Sequence, residues 1–378
     1  MRVHSDRSRK TFRWVVRWAI RAVFLVIAFG LLAGFLFSFR CRSTELKFLP
    51  ATYAEQHPQE ASGIANYSRP EQDTFYTYPE WYIVWSYQAK ADFQRTQLPS
   101  RYTYFSDIAQ YWRNYCCAFA AARNRYPASL PDHVMLVVIG TSFSVEYAVK
   151  AAYEHSLGRV SEWTSANQMT SEDLYAAKVA QDYARFVHIR PFYEYSFAHA
   201  LRGLWAEVPL RGSHWLRKAE RRAWLTLDYG VEAFYCGLIE LATHATYGYE
   251  DTETSAWIAA PSPKVASGLQ HVRVIKELGN GNYIVEFPRY QEFTDRSLEA
   301  VHSGIRFLQL AGNHNILISV VSDHPFVLPS GAAQVRSDVI PSEPRNSRTA
   351  LLCQVPELAV VLLALEQQHV TIEHVYDY

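Results

Sequence analysis

The spacing of apolar positions along this chain changes character several times, and each change marks a border. From Ala22 to Phe39 eighteen residues pass without an ionisable side chain. At about 1.5 Å per residue they cover about 27 Å, close to the hydrocarbon thickness of a bilayer. The run predicts one transmembrane helix. Residues 40–73 are polar and interrupted by Pro50, Pro58 and Pro70, the pattern of a tether.

From Thr74 to Asp251 the apolar residues recur every three or four positions, which predicts an all-α helical domain. Thr77 and Glu80, three apart with Pro79 between them, form a helix-start signature. Tyr78, Trp81, Tyr82 and Trp85 then share one face. Helices are expected over Ser106–Tyr126, Asp132–Gly158, Ser171–His188, from Pro191 to about Pro209, and over Ser213–Tyr247. In the last, Trp224, Leu227, Val231, Phe234, Leu238, Leu241 and Ala245 alternate steps of three and four and are expected to be the buried stripe. Glu146, Lys150 and Glu154 are expected to form an i, i+4 ladder on a wet face, apart from an apolar stripe at Val138, Val145, Ala148 and Ala152. Val134–Val145 is uncharged but short, so it reads as a buried helix and not as a second span.

Residues 252–270 hold Pro261, Ser262, Pro263, Ser267 and Gly268, and are expected to be a linker. Beyond them the period drops to two. Gly279-Asn280-Gly281-Asn282 between alternating runs predicts a β-hairpin. Glu292–Ser303 reads as a helix, and Arg306–Leu310 with Ile316–Val321 as a second strand pair. Ser322–Ala350 reads as an irregular excursion, Pro356–Gln368 as an apolar helix and Val370–Tyr376 as a closing strand. Residues 271–378 are thus a smaller α+β domain with one antiparallel sheet. No internal repeat is visible.

Charge orients this plan. Residues 1–21 form a basic segment with seven cations and one acid, whereas Arg40, Arg42 and Lys47 are the only cations close behind the apolar run. The bias places the amino terminus in the cytoplasm and the bulk of the chain across the membrane, as an uncleaved single-pass signal anchor. In a bacterium that is the inner membrane and the periplasm, a cell-envelope location. Without residues 1–21 the chain carries 30 Lys+Arg against 36 Asp+Glu, which argues against nucleic acid as a partner. Five cysteines without a CxxC spacing give neither a disulfide framework nor a zinc ribbon, and buried thiols are expected.

No complete catalytic or cofactor motif is present, so no cofactor is evident and the sequence leans away from an enzyme. The expected partners are the lipid bilayer and an envelope protein or apolar ligand. Tyr78, Trp81, Tyr82 and Trp85 are the candidate ligand-binding residues, with core packing as the plainer alternative. A metal-assisted enzyme is the second hypothesis. It would place a divalent ion on Glu240 and His244, one helical turn apart, or on Glu194 and His199.

Overall fold

The computed structural model describes residues 73–377 except 124, 125, 127, 128, 210, 211 and 247–251, together with Ala28 and Leu32. The expected anchor at 22–39 and most of the tether therefore lie outside the described residues. The chain is mostly helical, with a smaller domain that holds two antiparallel sheets.

The helical part starts with α1 (Asp73–Gln94) and α2 (Tyr104–Arg123). Next, α3 (Leu130–Tyr153) runs through a π turn at Glu154–Gly158 into α4 (Arg159–Thr164). Helix α5 (Ser171–Val187) begins at a capping box, in which Thr170 and Asp173 satisfy each other's backbone N–H groups. Pro191 does not open a long helix. A short 3₁₀ turn at Phe192–Glu194 follows it, and α6 (Phe197–Ala206) starts at the Ser196 cap. The last and longest of the group is α7 (Trp215–Thr246).

The expected linker is largely ordered structure. Glu253–Ala259 forms β1, flanked on both sides by partner strands, and Pro263–Ala266 forms a short helix, α8. Trp257 and Ile258 are fully buried, so this stretch belongs to the core of the second domain. Its Pro and Ser residues crowd into the turn after the strand.

Two four-stranded sheets replace the one expected. Sheet one uses β1, β2 (Arg273–Gly279), β3 (Asn282–Pro288) and β4 (Arg306–Leu310), in the order β2-β3-β1-β4. Sheet two uses β5 (Asn315–Ser322), β6 (Ala332–Ile340), β7 (Glu343–Gln354) and β8 (Thr371–Val375), in the order β6-β7-β5-β8. Helix α9 (Gln291–His302) precedes β4, and α10 (Leu358–Gln367) precedes β8. Each half is therefore three strands, a helix and a strand, wound in the same order. The topology repeats although no sequence repeat announces it. Strands β4 and β5 do not pair with each other: Gly312–His314 carries the chain from one sheet to the next. The supposed irregular excursion holds β6 and most of β7, whose outer halves are polar and half-exposed.

One main core joins α1–α3 to both sheets, and a second core lies among α5, α6 and α7. At the joint, Thr74 Oγ1 accepts a hydrogen bond from the Leu317 N–H at 3.2 Å. Cys117, Cys236 and Cys353 are buried free thiols, as expected, whereas Cys116 is disulfide-bonded.

Candidate functional site

The aromatic face of α1 points inward. Tyr78, Trp81, Tyr82 and Trp85 are all buried. The Trp81 ring lies 3.6 Å from the ring of His374 on β8, and the Arg348 guanidinium on β7 sits 4.4 Å from the Trp85 ring. Tyr82 donates to Asp107 at 2.9 Å, as does Tyr102 at 2.6 Å. Burial, with His188 adding to it, holds His374 well below the ordinary imidazole range, so it packs there as a neutral ring. The stripe joins the helices to the second sheet and presents no open face to a ligand.

The proposed metal residues do not converge. Glu240, Glu194 and His199 are exposed, and Glu194 pairs with Arg190 at 3.6 Å. The His244 side chain lies outside the described residues. Among the described residues no group of three or more His, Cys, Asp or Glu side chains could hold a metal ion.

What the geometry does bring together is charge, between α3–α4 and α7. The two runs are antiparallel, and a seam of polar contacts closes them. Ser161 donates to Glu220 at 2.6 Å, Arg221 pairs with Glu154 at 2.6 Å, and Lys150 reaches Asp228 at 3.3 Å and Glu232 at 3.2 Å. Beside the seam, the Tyr153 and Trp224 rings stack at 3.6 Å. Arg217, wholly buried, pairs with Asp173 on α5 at 2.7 Å and donates to Ser161 at 2.7 Å. Arg222 pairs with Glu172 at 2.8 Å.

This reverses both helices relative to the expectation from spacing. Leu227, Val231, Phe234, Leu238 and Leu241 are exposed, Phe234 by 74% and Leu241 by 70%. Leu225, Tyr229 and Cys236 are buried in their place, with half-buried Glu232 on the same side. On α3–α4 the Glu146, Lys150 and Glu154 ladder turns inward, while Val134, Val138, Val149, Leu157, Val160 and Trp163 face out. Neither Leu130–Thr164 nor Trp215–Ile239 exposes a single Asp, Glu, Lys or Arg. Leu130–Thr164 is also long and apolar enough, by length and composition, to cross a membrane. Helix α5 on the far side behaves like a water-facing helix, with Lys178 and Arg185 exposed.

The charged seam opens into a cavity of about 70 Å³ between α1, α3, α5 and α7. Lys150 is held by three carboxylates: Glu146 at 2.8 Å, Glu232 at 3.2 Å and Asp228 at 3.3 Å. Tyr87 donates to the second oxygen of Glu146 at 2.6 Å. Burial lowers the Lys150 ammonium, but Asp228, Glu146 and Glu232 outweigh it and carry it well above its ordinary range. Burial raises Glu146, and Lys150 and Lys90 more than offset that, so its carboxyl falls below the usual range. For Glu232 burial wins against Lys150 and pushes the carboxyl up to about 7. Lys90, pulled down to about 8 by burial and by the neighbouring Lys150, has Tyr87 and Tyr147 ring centroids at 5.2 and 5.0 Å. No hydrogen bond or ion pair among the described residues reaches its Nζ.

Lys90 escapes a reading based on motifs, because it stands alone in the sequence. A signal for it exists all the same: Tyr78, Tyr82, Ser86, Lys90 and Gln94 form one buried row at steps of four. Compared with family models, curated proteins and solved structures, the chain matches none.

Proposed function

We propose that this is a membrane-seated envelope protein that binds lipid twice, through an amino-terminal anchor at 22–39 and through the outer face of α3–α4 and α7. The apolar partner is the bilayer itself. The observation that carries the reading is the inversion of these helices, with their charges zipped inside and their apolar stripes outside. In water that arrangement leaves fifteen large apolar side chains exposed among the described residues of these helices, each worth about 1.5–3 kcal/mol when fully removed from water. Against lipid it is the expected one, because charged side chains there face the bundle interior and pair.

Two features favour lipid over a second copy of the chain. The alternating three-four spacing on α7 suits a coiled-coil seam, but the apolar surface continues across α3–α4 and is two helices wide. Trp163 and Trp215 are both exposed beside the α4–α7 end, where His214 contacts the Thr164 carbonyl, and indole rings favour membrane interfaces. The exposed Lys178 and Arg185 of α5 favour a domain resting in one interface over one spanning the bilayer.

The seven amino-terminal cations support a domain on the far side of the membrane from the cytoplasm. The Cys116 disulfide is in keeping with an oxidising compartment. Reporter fusions after Glu45 and at Tyr378 are both expected to read as exported. A reporter active in the cytoplasm at either site would overturn this topology.

A further inference from the structure

The cavity behind the α3–α7 pair contains a charge, Lys90, that no described residue answers with a hydrogen bond or ion pair. Lys90 is 8% exposed, and no described acceptor lies within hydrogen-bonding reach of its Nζ. A buried ammonium without a partner is costly to keep, and paired or solvated charges are the rule. Each carboxylate of the cavity already has a cation of its own, although the second oxygen of Glu154 makes no hydrogen bond among the described residues. Glu146 is bound by Lys150 and Tyr87, Asp228 and Glu232 close on Lys150, and Glu154 pairs with Arg221. The two tyrosine rings stabilise a cation but accept no strong hydrogen bond from it. What Lys90 lacks is an acceptor, and none of the described residues supplies one.

Size and charge narrow the class. At about 10–15 Å³ for each water position, the cavity has room for about five waters or a ligand of comparable size. Lys90, Lys150 and Arg221 stand against Glu146, Glu154, Asp228 and Glu232, so a multiply charged anion meets repulsion from the surplus acid. Burial raises Glu154 as well as Glu232, so protons taken up there offset a single entering negative charge.

We propose that the cavity binds a small carboxylate monoanion, one oxygen of which accepts a hydrogen bond from Lys90 Nζ. The site is independent of where the outer face of the domain sits, and its test is run in detergent without lipid.

The test is saturable stabilisation of the full-length protein by sodium acetate, measured as the shift in Tm against matched chloride. Acetamide, the neutral isostere, and inorganic phosphate are run beside it. Acetate is expected to raise Tm with a saturable dose dependence, and acetamide and phosphate are not. The apparent affinity is expected to weaken above about pH 7, where Glu232 sheds the proton that offsets the anion, and more steeply above about pH 8 as Lys90 sheds its own. Lys150, Glu146, Asp228 and Glu232 face the same ammonium; Lys150 is held well above its ordinary range and Glu146 below its own. Lys90→Met is expected to fold, with an equal or higher Tm in the absence of acetate, and to bind acetate at least about tenfold more weakly. No saturable acetate effect on the wild type, an equal effect of acetamide or phosphate, or unchanged acetate binding in Lys90→Met would overturn the proposal. The three-ligand comparison on the wild type decides the matter even where the variant does not fold.

Discussion

A double substitution, Phe234→Glu with Leu238→Glu, is expected to release the helical domain from lipid without unfolding it. The test uses a chain lacking residues 1–40, so that the anchor does not mask the second contact. Both side chains project outward from α7 and are more than half exposed, so little of the core depends on them. Substitutions at such positions usually change stability by about 0.5 kcal/mol or less, and the urea midpoint should barely move. Liposome partitioning is a different matter. Each large apolar side chain withdrawn from the interface forfeits about 1.5–3 kcal/mol, and two forfeit about 3–6 kcal/mol. That is a loss of about two to four powers of ten in partition coefficient. Unchanged binding in co-sedimentation would show that lipid does not rest on this face.

The largest expected loss of stability comes from Arg217→Leu. Arg217 is wholly buried where α3, α4, α5 and α7 meet. It pairs with Asp173 at 2.7 Å and Glu220 at 3.1 Å, and donates to the Gly158 carbonyl at 3.3 Å. Removing one partner of a buried pair leaves an uncompensated charge and typically costs about 3–5 kcal/mol. Burial raises the Asp173 carboxyl, but Arg221 and Arg217 outweigh it and hold it below its ordinary range. A depressed carboxylate contributes stability above its unfolded value that is lost as pH falls through the folded one. Arg217→Leu is therefore expected to be less stable at neutral pH and to lose less stability on acidification than the wild type. Arg185→Leu, which breaks a solvent-exposed pair with Asp182, is the control and should cost about 1 kcal/mol or less. A loss of under about 1 kcal/mol for Arg217→Leu in urea unfolding would contradict the network's role.

These predictions depend on which face of a helix points inward, and that is where spacing alone misleads. The number of long helices and most of their limits are readable, because capping residues such as Thr170 and Ser196 stop and start them locally. The inward face is read by assuming that the more apolar side is buried, which holds when the surroundings are water. On α7 the more apolar stripe from Leu227 to Leu241 is exposed, and the stripe with Asp228 and Glu232 is inside. The clue lies in pairs of helices: two of the three counter-charges of Lys150 on α3, Asp228 and Glu232, sit on α7, which no single-helix pattern records.

The second domain was legible at its hydrophobic centre and illegible at its rim. The hairpin of β2 and β3 follows from Gly279 and Gly281, both with positive φ in the turn. Strand β1 hid among the prolines and serines of its turn. Strand β6 hid because its residues alternate little and remain half wet, as expected of a sheet edge. Tyr78, Trp81, Tyr82 and Trp85 were visible as a face, but only the position of His374 and Arg348 opposite them shows that face to be a joint.

The seating of the inverted helix pair in lipid is tested most directly by photo-crosslinking in native membranes. p-Benzoylphenylalanine is placed in the full chain at position 234 on α7, at 138 on α3 and at 178 on α5. Irradiation is expected to give lipid adducts at 234 and 138 and none at 178. Adducts to a second copy of the chain at 234 and 138, or no lipid adduct at either, would contradict the account.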